Sequence, residues 1–324
     1  MKGFDPRWQD LPDFILGITH EIWEGRGLHT LQHYYGAEMP VRSPASVVIG
    51  NRGVIAATLA TLAEFPDRTL LGEDVIWSGD EDTGFLSSHR LVSTATHAND
   101  GVYGPATGKR LVYRIIADCA ARDNAIYDEW LVRDQGAVVR QLGWEPKDYA
   151  RDLIAREGGP EACVKPMTPA TDAATVYAGR GNGNEWGARH ADLLTRIMGA
   201  ELSAIGTGYD RACHLEMPGG VTGHGREAAD RFWLGLRAAF PSAAFEIRHV
   251  IGREDPLHPP RSALRWTLFG RHDGWGTFGP PTGAEVFVLG ISHAEHGPRG
   301  LRREYVLVDE AAIWKQILLQ TGDV

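Results

Sequence analysis

Apolar and polar positions change period along this chain, and they do so twice in the same order. Between residues 12 and 35, Phe14, Ile18, Ile22 and Trp23 share one face of a 3.6-residue repeat, which predicts a helix. Residues 51–64 predict a second helix, opening near Asn51 as an N-cap and ending before Pro66. From residue 68 the pattern is strand-like, with β-rich runs near 69–77, 85–97, 110–121 and 125–133. Asp123-Asn124 is the hairpin signal between the last two. The second half predicts helices near 189–208 and 226–239, then strands near 244–252, 262–273, 284–295 and 301–308. Helices followed by an antiparallel or mixed sheet indicate an α+β class, with the helices packed on one face of each sheet.

The recurrence is a duplication. A shift of 175 positions places His97, Gly101, Gly104, Pro105, Thr107 and Gly108 on His272, Gly276, Gly279, Pro280, Thr282 and Gly283. Without a gap it also pairs Ile116 with Ile291, Glu129 with Glu304, Asp134 with Asp309 and Gln141 with Gln316. Upstream it pairs Tyr34 with Tyr209, Phe65-Pro66 with Phe240-Pro241, and Arg90 with Arg265. So ordered a set in one register predicts two tandem domains, 1–144 and 189–324, joined by a linker or crossing segment over 145–188. The run Gly179 to Gly183 in that segment neither follows a strand nor opens a helix, so it lacks the context of a dinucleotide fingerprint.

Length and composition agree with two ordinary globular domains: 324 residues, 43% hydrophobic and 23% charged. The formal net charge of −9 comes without a basic stripe, which argues against nucleic acid as a partner. Three cysteines without CxxC spacing argue against a disulfide framework and a structural zinc site. No apolar run approaches the length of a membrane span, and residues 1–17 lack the pattern of a signal peptide, so a cytoplasmic location is expected. His29 and His33 have helical i, i+4 spacing but no third ligand in view, so no metal site is predicted. No G-x-S-x-G elbow is present either.

Thr96-His97, Gly104-Pro105-Ala106-Thr107-Gly108, Glu129-Trp130, Asp134 and Gln141-Leu142-Gly143 follow one another in an order that resembles the SnoaL-like polyketide cyclases of the nuclear-transport-factor-2-like superfamily. The second half carries the same order in His272, Gly279-Pro280-Pro281-Thr282-Gly283, Glu304-Tyr305, Asp309 and Gln316. The resemblance implies, in each half, a curved sheet wrapped around N-terminal helices as a cone open at one end. It also implies a cofactor-free lyase or isomerase in which an aspartate removes an acidic proton beside a carbonyl. Domains of this superfamily pair through their sheets, so the resemblance implies an intramolecular pseudo-dimer, with further homodimerisation left open. A hydrolase or dehydratase, or a non-catalytic binding protein for a small apolar carbonyl compound, remain alternatives.

Asp118 is the first candidate base. Alternation puts Val112, Arg114, Ile116 and Asp118 on one face of a strand, an apolar wall broken by ionisable groups. Poor solvation lifts a carboxylate toward working pH; an ion pair with Arg114 is the plainer reading. His97 and Tyr34 are candidates to polarise a carbonyl. Trp23, Trp77, Tyr103, Arg114 and Trp130 are candidate substrate contacts. A second pocket is expected around His293, His272, Trp266, Tyr209 and Tyr305. His293 stands where the first half has Asp118, so the first half is expected to be the active one.

Overall fold

In the computed structural model, which describes residues 1–324, the chain forms two six-stranded sheets of the same topology. The first half opens with α1 (Leu11–Thr19), capped by the Asp10 side chain. The helix widens into a π turn over His20–Glu24, followed by a short 3-10 turn and α2 (Leu31–Tyr34). A hairpin of β1 (Pro40–Ser43) and β2 (Ser46–Ile49) leads into α3 (Gly50–Glu64). The long strands are β3 (Leu71–Asp80), β4 (Gly84–Thr96), β5 (Arg110–Arg122) and β6 (Ala125–Arg133), and α4 (Gln135–Leu142) closes the unit. Strand order is β2-β1-β6-β5-β4-β3, antiparallel except where β1 runs parallel to β6. The turn joining β5 to β6 has Asp123 and Asn124 both at positive φ, 51° and 64°. That is the geometry a two-residue hairpin needs to match strand twist, and Asn and Asp tolerate it.

The second half has α6 (Glu185–Met198), α7 (Ala204–Gly208), β7 (Tyr209–Met217), β8 (Val221–His224), α8 (Arg226–Ala239), β9 (Ala244–Arg253), β10 (Arg261–Arg271), β11 (Glu285–Gly297), β12 (Gly300–Leu307) and α9 (Glu310–Thr321). Its sheet order, β8-β7-β12-β11-β10-β9, repeats the first. The helices and long strands fall within a few residues of the sequence reading. Asn51 lies inside α3 rather than capping it; its side-chain amide donates to the Tyr35 carbonyl at 2.8 Å. The hairpin strands and the closing helices α4 and α9 were not read from the sequence. Both helices are capped by an aspartate, Asp134 and Asp309, each accepting from the N–H three residues on at 2.9 Å.

The long strands are buried on both faces. Inward, Leu111, Tyr113, Ile115, Ala117 and Cys119 of β5 turn toward the helices of their own half. Outward, Ile116, Ala120, Trp130 and Val132 pack on Ile251, Ala263, Leu289, Ile291, Tyr305 and Leu307 of the other sheet. The two sheets therefore lie face to face. The contact is reciprocal: Arg265 stacks on Trp130 and Arg90 on Tyr305, both at 3.5 Å from the ring centroid. Arg90 and Trp130 map onto Arg265 and Tyr305 by the 175-residue shift, so the pattern is that of an isologous interface.

The segment after α4 is ordered by both halves. Its helix α5 (Pro146–Arg156) packs Ala150 and Ile154 on Leu318 of α9. Further on, the Met167 N–H donates to the Pro44 carbonyl at 3.0 Å, and the Val176 and Tyr177 N–H groups donate to Asp128 at 2.8 and 3.0 Å. The strap then reaches the edge of the second sheet, where Asn182 donates to the Val250 carbonyl and Val250 donates to the Arg180 carbonyl, both at 2.9 Å. Gly181 has φ +104°, and a Cβ there would sit 1.6 Å from the Val250 oxygen. The glycine-rich run thus serves close backbone approach to an edge strand.

Candidate functional site

A cavity of about 680 Å³ occupies the cone of the first half, between the inward face of its sheet and α1 and α3. That size suits a drug-sized molecule. Its middle is apolar, lined by Ile15, Ile18, Val54, Leu91, Ile115 and Leu131. Cross-strand register sorts the polar groups into rows. Ser87, Cys119 and Glu129 form one row across β4, β5 and β6; His89, Ala117 and Leu131 form the next; Leu91, Ile115 and Arg133 the third.

Glu129 is the carboxylate of the first row. Burial pushes its carboxyl up to about 7, while the Tyr35 phenol and Cys119 thiol beside it pull in the other direction. Its Oε2 is buried without a hydrogen-bond partner. Burial likewise holds Tyr35 and Cys119 well above their ordinary values, so both stay protonated. His89 in the second row is depressed to about 4 by burial and is neutral at neutral pH; its Nδ1 lies 3.2 Å from the Ser87 hydroxyl. At the other end stand Arg68, Arg133, Tyr113 and Tyr103. The Arg68 Nε donates to the Tyr113 hydroxyl at 3.1 Å, and the Tyr103 hydroxyl donates to Gln135 at 2.6 Å.

Of the residues expected from the sequence, Trp23 and Tyr103 line this cavity. Asp118 does not. It lies on the outward face of β5, buried between the sheets, 3.2 Å from Arg265 rather than paired with Arg114. Burial raises its carboxyl, and Arg265 and Ser88 oppose the rise. Trp130 is on the same interface, and Arg114 pairs with Glu73 (2.9 Å) and Glu216 (3.1 Å) at its margin. Trp77 packs against Phe85 under the Arg253 guanidinium. His97 is fully buried behind the lining, its Nε2 at 3.1 Å from Glu64 and its Nδ1 at 3.1 Å from Thr107. Glu64 also accepts from the Val102 and Tyr103 N–H groups at 2.9 Å, so this pair fastens the 98–108 turn to the end of α3.

Tyr34 points away from the cavity, toward Arg7 and Glu21. Its neighbour Tyr35 is the true counterpart of Tyr209: Tyr35 bridges Ile126 as Tyr209 bridges Leu301, a shift of 174 before the 175 register resumes. A one-residue length difference upstream is why an ungapped shift of 175 pairs Tyr34 with Tyr209 instead.

The second cone is filled. Trp233 and Trp266 stand where the first half has Thr58 and Leu91, fully buried with ring centroids 5.9 Å apart. Trp266 fits only because Gly290 replaces Ile115; a Cβ on Gly290 would lie 2.1 Å from the indole. Tyr209 and Glu304 persist, joined by a 2.7 Å hydrogen bond, but Trp233 donates to that tyrosine at 2.9 Å and the pair is sealed in the core. His272 keeps its 3.0 Å contact to Thr282, yet its Nε2 has no partner, since Ala239 stands where the first half has Glu64. His293 and Tyr305 lie between the sheets, His293 at 2.8 Å from Ser88 and 3.3 Å from Arg90. The expected second pocket is therefore a core and an interface.

The single open cone, built by helices against a curved mixed sheet of order β2-β1-β6-β5-β4-β3, can be set beside known proteins. The chain is similar to SnoaL-like polyketide cyclases. One such cyclase from Agrobacterium tumefaciens is 20% identical with a TM-score of 0.33, covering 42% of this chain and 99% of its own. IdmH from Streptomyces antibioticus is 24% identical with a TM-score of 0.36, covering 41% and 98%. TsrD from Streptomyces laurentii is 21% identical with a TM-score of 0.36, covering 43% and 98%. No protein-family model and no curated protein sequence matches the chain. No helix is long and apolar enough to cross a membrane.

Proposed function

We propose that the first cone is the active site of an acid–base enzyme acting on an enolisable carbonyl compound, a lyase or isomerase, with Glu129 as the base. The observation that carries this reading is the Glu129 carboxyl: it faces an apolar cavity, burial pushes it up to about 7, and one oxygen has no partner. A base poised near the working pH is half ionised there and strong enough to take a proton from a carbon acid. Neutral His89 lies with Nδ1 at 3.2 Å from the Ser87 hydroxyl. In the tautomer where that hydroxyl donates to Nδ1, Nε2–H is a donor for the developing enolate oxygen. Placed on β4 and β6, which flank β5, the two side chains reach one cavity from two sides. The carbanion so formed either reprotonates at a second carbon or attacks an internal carbonyl to close a ring.

The test is α-proton exchange of 2-tetralone in D2O, followed by NMR. The protein should accelerate exchange over buffer, and Glu129→Gln should abolish the acceleration. Exchange at the buffer rate, or unaltered catalysis by Glu129→Gln, overturns the assignment.

A further inference from the structure

The end of the first cone opposite Glu129 carries two guanidinium groups with no carboxylate paired to them. Arg133 makes no ion pair and its Nε is buried without a hydrogen-bond partner. Arg68 has the Tyr113 hydroxyl as its side-chain partner, at 3.1 Å. Both line the cavity, as do Tyr103, Tyr113 and Gln135. Burial lowers Arg68, the Tyr113 hydroxyl opposes it, and repulsion from Arg133 adds to the lowering. The acids near this end are already committed. Asp100, which also lines the cavity, accepts from the Ala106 N–H at 2.8 Å. Glu64 accepts from the Val102 and Tyr103 N–H groups and from His97. Asp309 caps α9, and burial pushes it up to about 7, so it is only a partial counter-charge to Arg133.

Guanidinium groups without a carboxylate partner at the wall of an apolar cavity are costly unless something negative completes them. At Arg133 burial lowers the value, but the Tyr103 and Tyr113 hydroxyls outweigh it and raise it. Tyr113 already responds to that field. Burial alone would raise its phenol, yet Arg68 and Arg133 bring it below the ordinary value.

Resting on the reading of this cone as a small-molecule site, we infer that its ligand is an organic carboxylate. The anion sits on Arg68, Arg133 and the Tyr113 hydroxyl, and its apolar body runs along Leu91, Ile115 and Leu131 toward Glu129. A guanidinium presents paired donors in a plane that matches a carboxylate, and such charge-assisted bonds are about twice as strong as neutral ones. The anchor also orients the ligand. With the charge fixed at the arginine end, the far end of a molecule that fills the cavity meets the Glu129–His89 rows.

The experiment uses 2-naphthoate and its methyl ester as probes, with affinity measured by calorimetry on the full chain. The wild-type protein should bind the acid more tightly than the ester by about 10-fold or more, the range expected for charge-assisted hydrogen bonds. Arg133→Met and Arg68→Met should each remove most of that preference. A wild-type protein without preference, or one that binds the ester and rejects the acid, overturns the carboxylate while leaving the small-molecule site standing. Retention of the preference in both variants also overturns it. Failure of both probes to bind at millimolar concentration overturns both readings. Should the variants not fold, the wild-type acid-to-ester ratio decides alone.

Discussion

Asp118 and Arg265 meet at 3.2 Å across the interface of the two sheets, and the symmetry-related positions are held by His293 and Arg90 at 3.3 Å. One pair is ionic, the other joins an arginine to an imidazole that burial keeps neutral. Removing the carboxylate leaves a buried guanidinium stacked on the Trp130 ring without its nearest counter-charge. Asp118→Ala should therefore destabilise the protein by about 3–5 kcal/mol. Urea denaturation reads this, and probe binding in the first cone, measured where the variant is folded, should stay within twofold of wild type (roughly 0.4 kcal/mol). Loss of catalysis with unchanged stability would instead restore Asp118 to the chemistry.

Glu129 should leave its mark on both rate and stability. Proton abstraction needs the carboxylate, so turnover should rise with pH and level off above about 7. Stability runs the other way. The folded carboxyl holds its proton up to about 7, whereas the unfolded one releases it near 4.5. Between those values the native state binds the extra proton, so stability is lost as pH rises through the window. Glu129→Gln lacks this titration and should gain on the wild type between about pH 4.5 and 7, by an amount on the order of 3 kcal/mol at the plateau. Denaturation midpoints from pH 5 to 8 check it; a constant gap between the two proteins would contradict it.

The filled second cone suggests a way to close the first. Thr58 lines the cavity at the position Trp233 occupies in the second half. Thr58→Trp should block uptake of both naphthoate probes while changing the melting temperature by only a few degrees, because the indole enters existing space. Unimpaired binding would place the ligand elsewhere.

His97 fastens a turn in this structure. His97→Ala should lower stability by about 2 kcal/mol through loss of the Glu64 and Thr107 contacts and the packing on Phe65. Turnover should fall less than tenfold, and a double-mutant cycle with Glu64→Gln should show coupling above about 0.5 kcal/mol. A loss of more than a hundredfold in turnover at unchanged stability would return the histidine to a catalytic role.

Much of the architecture could be read from the chain because duplication prints each signal twice: the Gly-Pro turns, the strand spacing and the Phe-Pro ends of α3 and α8 all recur. The face that looks into the cavity was harder to read for a physical reason. Alternation tells which side chains of β5 share a face, but here both faces are apolar, one against helices and cavity, the other against a second sheet. Nothing in a period of two says which face looks into a hollow. Asp118 is the conspicuous ionisable group, and it lies on the face turned to the second sheet, whereas Glu129, one strand on and shared by both halves, faces the hollow. Tyr35 is hidden from an ungapped shift of 175 by a one-residue length difference upstream. The closure of the second cone was legible only in retrospect, in Trp233, Trp266 and Gly290 taken together.

Joining the two sheets in one chain changes what a substitution can do. In a pair of separate identical subunits, any new side chain at the interface appears on both sides of the axis, so an aspartate facing one arginine is always matched by another. Linked through the 145–188 strap, each side varies alone. Asp118 can keep its charge while His293 stays neutral, and one hollow can be plugged with indoles without plugging its twin. The strap therefore releases the molecule from symmetry: one half is free to fill its hollow, and the other keeps its space open.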